Sequence, residues 1–155
     1  MILHNNEING KVNLGYPILG TDDDLPELRQ RYKNALVTVG QIKSPATRIK
    51  LFGLLNQLDY SLPVIVSPNA YVSKRAQIGN GTIIYHDAIV NTNAKIGKNC
   101  IINNKSLIEH DTVIGDHCHI ATGAILNGGV IIGSKSFIGS GVVTKQGVSI
   151  GSHCI

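Results

Sequence analysis

Tryptophan is absent from this 155-residue chain, and aromatic residues reach only 5%. A core built on large rings is therefore excluded, and the 43% of hydrophobic residues must be mostly aliphatic and small. Cysteine is scarce as well: there are only Cys100, Cys118 and Cys154, and although stacked neighbours could approach disulfide distance, a cytoplasmic chain should keep them reduced. No apolar run reaches the ~18 residues that a membrane span requires. Met1 to Asn13 is polar and lacks the apolar centre of a signal peptide, so the expected location is the cytoplasm. Charged residues make up 15%, with a net charge of +4. No Lys/Arg cluster interleaves with aromatics, which argues against nucleic acid as a partner.

Glycine, by contrast, is plentiful at 17 residues, and a repeat dominates the chain. From Val66 onward it divides into fifteen six-residue units with no insertion. The first position is aliphatic from Val66, Val72 and Ile78 through Ile150, with Thr144 the one exception. The fifth position is small in every unit, from Ala70 through Cys154. Above this lies a second period: Gly79, Gly97, Gly115, Gly133 and Gly151 recur every eighteen residues. Three short strands per coil thus close a triangular prism, and about five coils stack through backbone hydrogen bonds at ~4.8 Å spacing. The aliphatic position fills the interior. Glycine is expected to serve a recurring turn of positive φ. The fold class is mainly β, a parallel β-helix of hexapeptide repeats.

Residues 1–62 carry no hexad and read as a small α/β unit. The sequence predicts a helix over 22–33, with Pro26 confining its regular part to the residues after it. A short buried strand is expected over 35–39. Ser44-Pro45 is a helix start, serine capping and proline in the first turn, and that helix should run to about Leu58. The prism occupies 63–155.

Among residues that could carry chemistry, the three cysteines share one inward column with Thr82 and Ser136 and are expected to be packing, not metal ligands. His86, His110, His117, His119 and His153 all lie at non-core positions of the hexads. His110 stands between Glu109 and Asp111, and its eighteen-residue column of Thr92, Gly128 and Gln146 leaves the ring room. A carboxylate beside an imidazole raises its basicity and fixes its tautomer, as a general base near pH 7 requires. His119 is nine residues further on, half of a coil. With roughly 20 Å to each side of the prism, the two belong to different faces of one subunit.

The run Ile108-Glu109-His110-Asp111, then Ile114-Gly115-Asp116, His119-Ile120 and Gly123-Ala124, resembles the NeuD/PglD-type hexapeptide-repeat sugar acetyltransferases. Gly15-Tyr16-Pro17-Ile18-Leu19-Gly20 and Val39-Gly40-Gln41 extend the likeness into the N-terminal part. The resemblance implies a left-handed β-helix and a homotrimer with active sites at subunit interfaces. It implies acetyl-CoA as co-substrate and no metal. The acceptor would be a sugar or nucleotide sugar, either sialic acid at a hydroxyl or a UDP-linked 4-amino sugar at its amine, for bacterial-type surface glycan synthesis. By the same resemblance His110 is the general base and Asp111 its acidic neighbour, with Glu109 a second candidate to orient it. His119 and Gly128 match positions that contact acetyl-CoA, and Gln41 stands where an asparagine contacts the nucleotide. Residues 1–62 would be a partial Rossmann-like substrate-binding region.

The chain also departs from that pattern. The family opens on a strand and a glycine-rich turn that find no counterpart before Gly15, and its acidic pair falls at His4-Asn5. The last coil ends at Ile155 without a polar cap, which solenoids require. The expectation is a chain truncated at both ends, and the alternative to an enzyme is an inactive trimeric remnant. A zinc carbonic anhydrase on the same prism would need histidines five residues apart, and none are so spaced. Ice binding would need ranked threonines, whereas these are scattered.

Overall fold

A computed structural model of the chain describes residues 12–155; His4-Asn5 lies outside the described residues. From Ile65 the backbone winds as a β-solenoid whose short parallel strands form three faces. The first face stacks Ile65–Val66, Ile83–Ile84, Ile101–Ile102, His119–Ile120 and Phe137–Ile138. The second stacks Tyr71–Val72, Ile89–Val90, Leu107–Ile108 and Ile125–Leu126; the third runs from Gln77–Ile78 to Ser149–Ile150. Every pairing is in eighteen-residue register, Ile84 beside Ile102 and His119 beside Ile101. The period of the sequence is thus the pitch of the solenoid.

Each coil places one aliphatic side chain per face inside, and Ile84, Ile102, Ile108, Ile120 and Leu126 are fully buried. At the first coil Val66 is 43% exposed, because no coil lies beneath it. Thr144, the exception in the first position, is buried and satisfies its hydroxyl with hydrogen bonds. That hydroxyl accepts from Asn127 N at 3.0 Å and donates to Ile125 O at 3.4 Å. The second face ends there in a single bridge, Ile125 to Val143.

The glycine column has a different cause from the one expected. Gly79, Gly97, Gly115, Gly133 and Gly151 are not at positive φ. The first four are points of close approach between coils: a Cβ on Gly97 would stand 2.6 Å from Asp116 N, and one on Gly79 2.6 Å from Gly97 C, whereas Gly151 in the last coil meets only Cys154 Sγ at 3.7 Å. The left-handed backbone sits instead at the fourth hexad position, occupied by Asp87, Asn93, Asn99, Asp111 and His117 among others. Asparagine and aspartate tolerate that region best after glycine.

The cysteine column is packing with a polar duty. Thr82 Oγ1 donates to Gly97 O at 2.8 Å, Cys100 Sγ to Gly115 O at 3.2 Å, Cys118 Sγ to Gly133 O at 3.2 Å, and Ser136 Oγ to Gly151 O at 2.9 Å. Each small polar side chain therefore satisfies the carbonyl of a glycine in the next coil. Burial pushes the Cys100 thiol well above its ordinary pKa, so it stays a thiol.

In the N-terminal part, Asp22–Asp24 forms a single tight turn and α1 covers only Leu25–Arg31. Pro26 stands in the first turn of α1, where its missing N–H costs nothing. Helix α2 spans Ala46–Gln57, and Ser44 Oγ accepts from Ala46 N at 3.2 Å. The strand expected over 35–39 is not formed. The only pairing there is the bridge Asn34–Ser61, while Val37 O and Val39 O accept from Arg48 Nη1 at 2.7 and 2.9 Å. With a guanidinium taking its carbonyls, that edge has no strand ladder. Leu25, Val37, Leu55, Tyr60 and Leu62 make a second apolar cluster apart from the prism interior.

Arg48 joins the two parts. It is 1% exposed, and its Nε also donates to Asn99 O at 3.2 Å, on a turn of the prism. Asn99 Nδ2 returns a bond to Arg48 O at 3.3 Å. No amphipathic pattern flags this residue, because its charge is solvated by carbonyls alone.

Candidate active site

His110 occupies the third position of its hexad, at the corner between Leu107–Ile108 on the second face and Val113–Ile114 on the third. The chain turns there because Asp111 takes a φ of 59°. Its N–H donates to Thr92 O at 3.1 Å in the coil before, and Gly129 N donates to His110 O at 2.9 Å from the coil after. The corner is thus pinned on both sides, while the side chains project outward.

His110 Nδ1 lies 2.8 Å from Asp111 Oδ2. Hydrogen bonds from His110 and then Asn93 hold the Asp111 carboxyl below its usual pKa. An ionised carboxylate only accepts, so Nδ1 carries a proton, and in the neutral form of the ring Nε2 keeps its lone pair. That nitrogen faces Gly128, where an added Cβ would come within 2.6 Å of it. Both side chains remain about half exposed, His110 at 51% and Asp111 at 58%. The arrangement is an oriented imidazole open to solvent.

Glu109 does not touch the ring. Its Oε2 accepts from Asn91 Nδ2 at 2.9 Å and lies 3.4 Å from His110 N, so it braces the backbone. Asp111 is the carboxylate against the imidazole.

His119 and Gln41 meet each other instead, on the first face and across the prism from the His110 corner. Gln41 O accepts from His119 Nδ1, and Gln41 Nε2 donates to His117 O at 2.9 Å. A carbonyl only accepts, so His119 carries its proton on Nδ1 and Nε2 receives Asn103 Nδ2 at 3.2 Å. His119 is 8% exposed, with Phe137 edge-on at 5.0 Å between ring centres. Burial lowers its pKa, and that of His117 too. Beside this cluster lies a cleft lined by Lys43, Ser44, Lys135, Phe137 and His153. Gln41 Oε1 is buried without a partner. A larger hollow of about 510 Å³ opens in the N-terminal part, between Tyr16, Leu25, Leu28, Tyr32 and Tyr60.

The sequence-predicted residues therefore fall into two groups: His110, Asp111, Gly128 and Glu109 at a corner, His119 and Gln41 on the opposite face. Asn93, Asn91, Asn103 and Arg48 escaped sequence reasoning. A polar residue one full coil before a candidate is the signal that finds the first two.

The bacterial transferase hexapeptide model (six repeats) matches residues 75–110, 93–128 and 111–146. The acetyltransferase domain of PglB from Neisseria gonorrhoeae, in complex with acetyl coenzyme A, is 30% identical with a TM-score of 0.88; the match covers 97% of this chain and 72% of that one. The chain belongs to the hexapeptide-repeat sugar acetyltransferases, of the NeuD/PglD type. A histidine-to-alanine mutant of GDP-perosamine N-acetyl transferase from Caulobacter crescentus, in complex with CoA and GDP-perosamine, is also similar to this transferase. It shares 29% identity at a TM-score of 0.85, over 93% of this chain and 68% of that one. WeeI from Acinetobacter baumannii shares 28% identity at a TM-score of 0.80, over 98% and 74%. Comparison of this acetyltransferase with curated proteins finds no match.

Proposed function

We propose that this acetyltransferase moves the acetyl group of acetyl-CoA onto the amine of a nucleotide-linked amino sugar, with His110 as general base. The observation that carries the reading is the Asp111–His110–Gly128 corner, an imidazole held in one tautomer with Nε2 bare. The amine is favoured over a sialic acid hydroxyl because a similar transferase holds an amino sugar nucleotide, GDP-perosamine.

His110 Nε2 takes a proton from the sugar ammonium. The freed nitrogen pair attacks the thioester carbonyl carbon, the C–S bond breaks, the departing thiolate is protonated from His110, and the second proton leaving the nitrogen passes to water as the amide forms. Asp111 stabilises the imidazolium between the two transfers. No second protein group needs to change charge.

His119, Gln41 and the cleft with Lys43 and Lys135 form the complementary half, where acetyl-CoA and the acceptor are held. Residues 1–62 form the acceptor-binding region, on Gln41. Since the halves lie on opposite sides of one prism, they complete one site when the His110 corner of one subunit meets the first face of its neighbour. A cyclic homotrimer supplies that meeting three times. The use of acetyl-CoA puts the reaction in the cytoplasm.

Release of free CoA thiol, followed with UDP- and GDP-linked 4-amino sugars and with sialic acid, tests the reading. Turnover with an amino sugar nucleotide and none with sialic acid is expected. Turnover with sialic acid alone would overturn the amine assignment.

A further inference from the structure

The coil beneath His110 supplies more than a carbonyl. Asn93 lies one coil before Asp111, at the same corner and in the same left-handed backbone, φ 59° for each. Its Nδ2 donates to Asp111 Oδ1 at 3.1 Å, while the other oxygen, Oδ2, faces His110 Nδ1 at 2.8 Å. The carboxylate is therefore gripped at both oxygens, and its plane is set by two directional bonds on opposite sides. One residue before Thr92, Asn91 grips Glu109 in the same manner. The three residues Asn91-Thr92-Asn93 thus form a template under Glu109-His110-Asp111, and each member of the lower coil bonds its upper partner or that partner's neighbour.

Of these contacts, only that of Asn93 acts on the imidazole through a single intermediary. Asp111 is exposed, and water competes for both its oxygens. Without a donor at position 93 the carboxylate turns freely about its Cβ–Cγ bond and releases Nδ1. An exposed neutral imidazole then redistributes its proton between the two nitrogens, and the fraction with a bare Nε2 falls. The grip also contributes to holding the Asp111 carboxyl ionised.

We infer that Asn93 is a positioning residue of this transferase, holding the Asp111 carboxylate in the plane that fixes the His110 tautomer. Its consequence for turnover rests on the reading of His110 as the base; its effect on the tautomer does not.

The test is Asn93→Gly, which removes the amide yet suits the left-handed backbone, together with the isosteric Asn93→Asp, which turns the donor into an acceptor. Two quantities are read on the full chain: the His110 tautomer, by ¹⁵N NMR of histidine-labelled protein, and kcat and KM with acetyl-CoA and a UDP-linked 4-amino sugar. In the parent His110 shows the Nδ1-protonated form. In Asn93→Gly the Nε2-protonated form should emerge and kcat fall about tenfold, less than the ~10²-fold or more that loss of a base costs. KM for acetyl-CoA and the melting temperature should hold. Asn93→Asp should lose at least as much, since a carboxylate then faces a carboxylate. An unchanged tautomer in both variants overturns the inference, whatever happens to kcat. A fall in kcat that tracks a fall in melting temperature, with the tautomer intact, overturns it as well. Full activity of His110→Ala would instead overturn the base assignment and leave the tautomer measurement to decide Asn93.

Discussion

The imidazole of His110 rests on Gly128 so closely that a single methyl group there would come within 2.6 Å of Nε2 and 2.7 Å of Cε1. The glycine and the imidazole stand one coil apart, and the space that one lacks is the space that the other uses. Gly128 is not at positive φ, so its backbone would accept alanine. Gly128→Ala should therefore leave the melting temperature nearly unchanged and displace the ring. Steady-state kinetics should show a loss approaching that of removing the base, about 10²-fold. Full activity would mean that the ring has room to shift without consequence.

His110→Ala and Ile114→Ala separate chemistry from folding within one coil. The first removes an exposed side chain and should cost about 10² to 10⁴ in rate with the fold intact. Ile114 is 2% exposed inside the prism, and its truncation should cost about 2–5 kcal/mol on denaturant unfolding. An unchanged unfolding midpoint for Ile114→Ala would contradict the register.

Stability should decline in mild acid. His117 and His119 both have pKa values lowered by burial under the N-terminal part. Above about pH 6.5 each is neutral in both states and contributes no pH dependence. Below it the unfolded chain takes up protons that the folded chain refuses, so stability falls as pH drops toward the folded values. His117 Nδ1 lies 2.9 Å from Asn99 Nδ2, a bond that survives only while that nitrogen is an acceptor. Melting curves from about pH 7.5 to about pH 5 should show this fall, with a shallower slope in His117→Gln. A flat profile would contradict the burial of these rings.

Arg48 should prove the fastening between the N-terminal part and the prism. Arg48→Met leaves Val37 O, Val39 O and Asn99 O without their donor, at about 1–3 kcal/mol for each buried group. Limited proteolysis should then cut within residues 12–62 while the prism survives. Resistance equal to the parent would show that apolar packing alone holds the two parts.

Much of this architecture was legible in the sequence because a solenoid repeats its constraint in every coil. An aliphatic residue every sixth position can only be an interior, and the eighteen-residue glycines mark one pitch. What the glycines do was not legible: close approach and positive φ both select glycine, and only coordinates tell Gly97 from Gly81. The strand expected over 35–39 failed for a kindred reason. Alternating apolar residues allow a strand, yet a strand needs a partner, and Arg48 takes those carbonyls instead. At the corner, His110 and Asp111 were readable as sequence neighbours. Asn93 was not, since its relation to Asp111 exists only once the coils are stacked. The burial of His119 likewise depends on Gln41, far away in the chain, folding over the first face.

The proposal that the His110 imidazole serves as base in moving the acetyl group of acetyl-CoA to a sugar amine is tested most directly by mass spectrometry. UDP- and GDP-linked 4-amino sugars are incubated with isotope-labelled acetyl-CoA and either the parent chain or His110→Ala. The expected result is one labelled acetyl group on the sugar nitrogen with the parent, and at most about a hundredth of that rate with the variant. Equal labelling by both chains, or label found only on a hydroxyl, would contradict it.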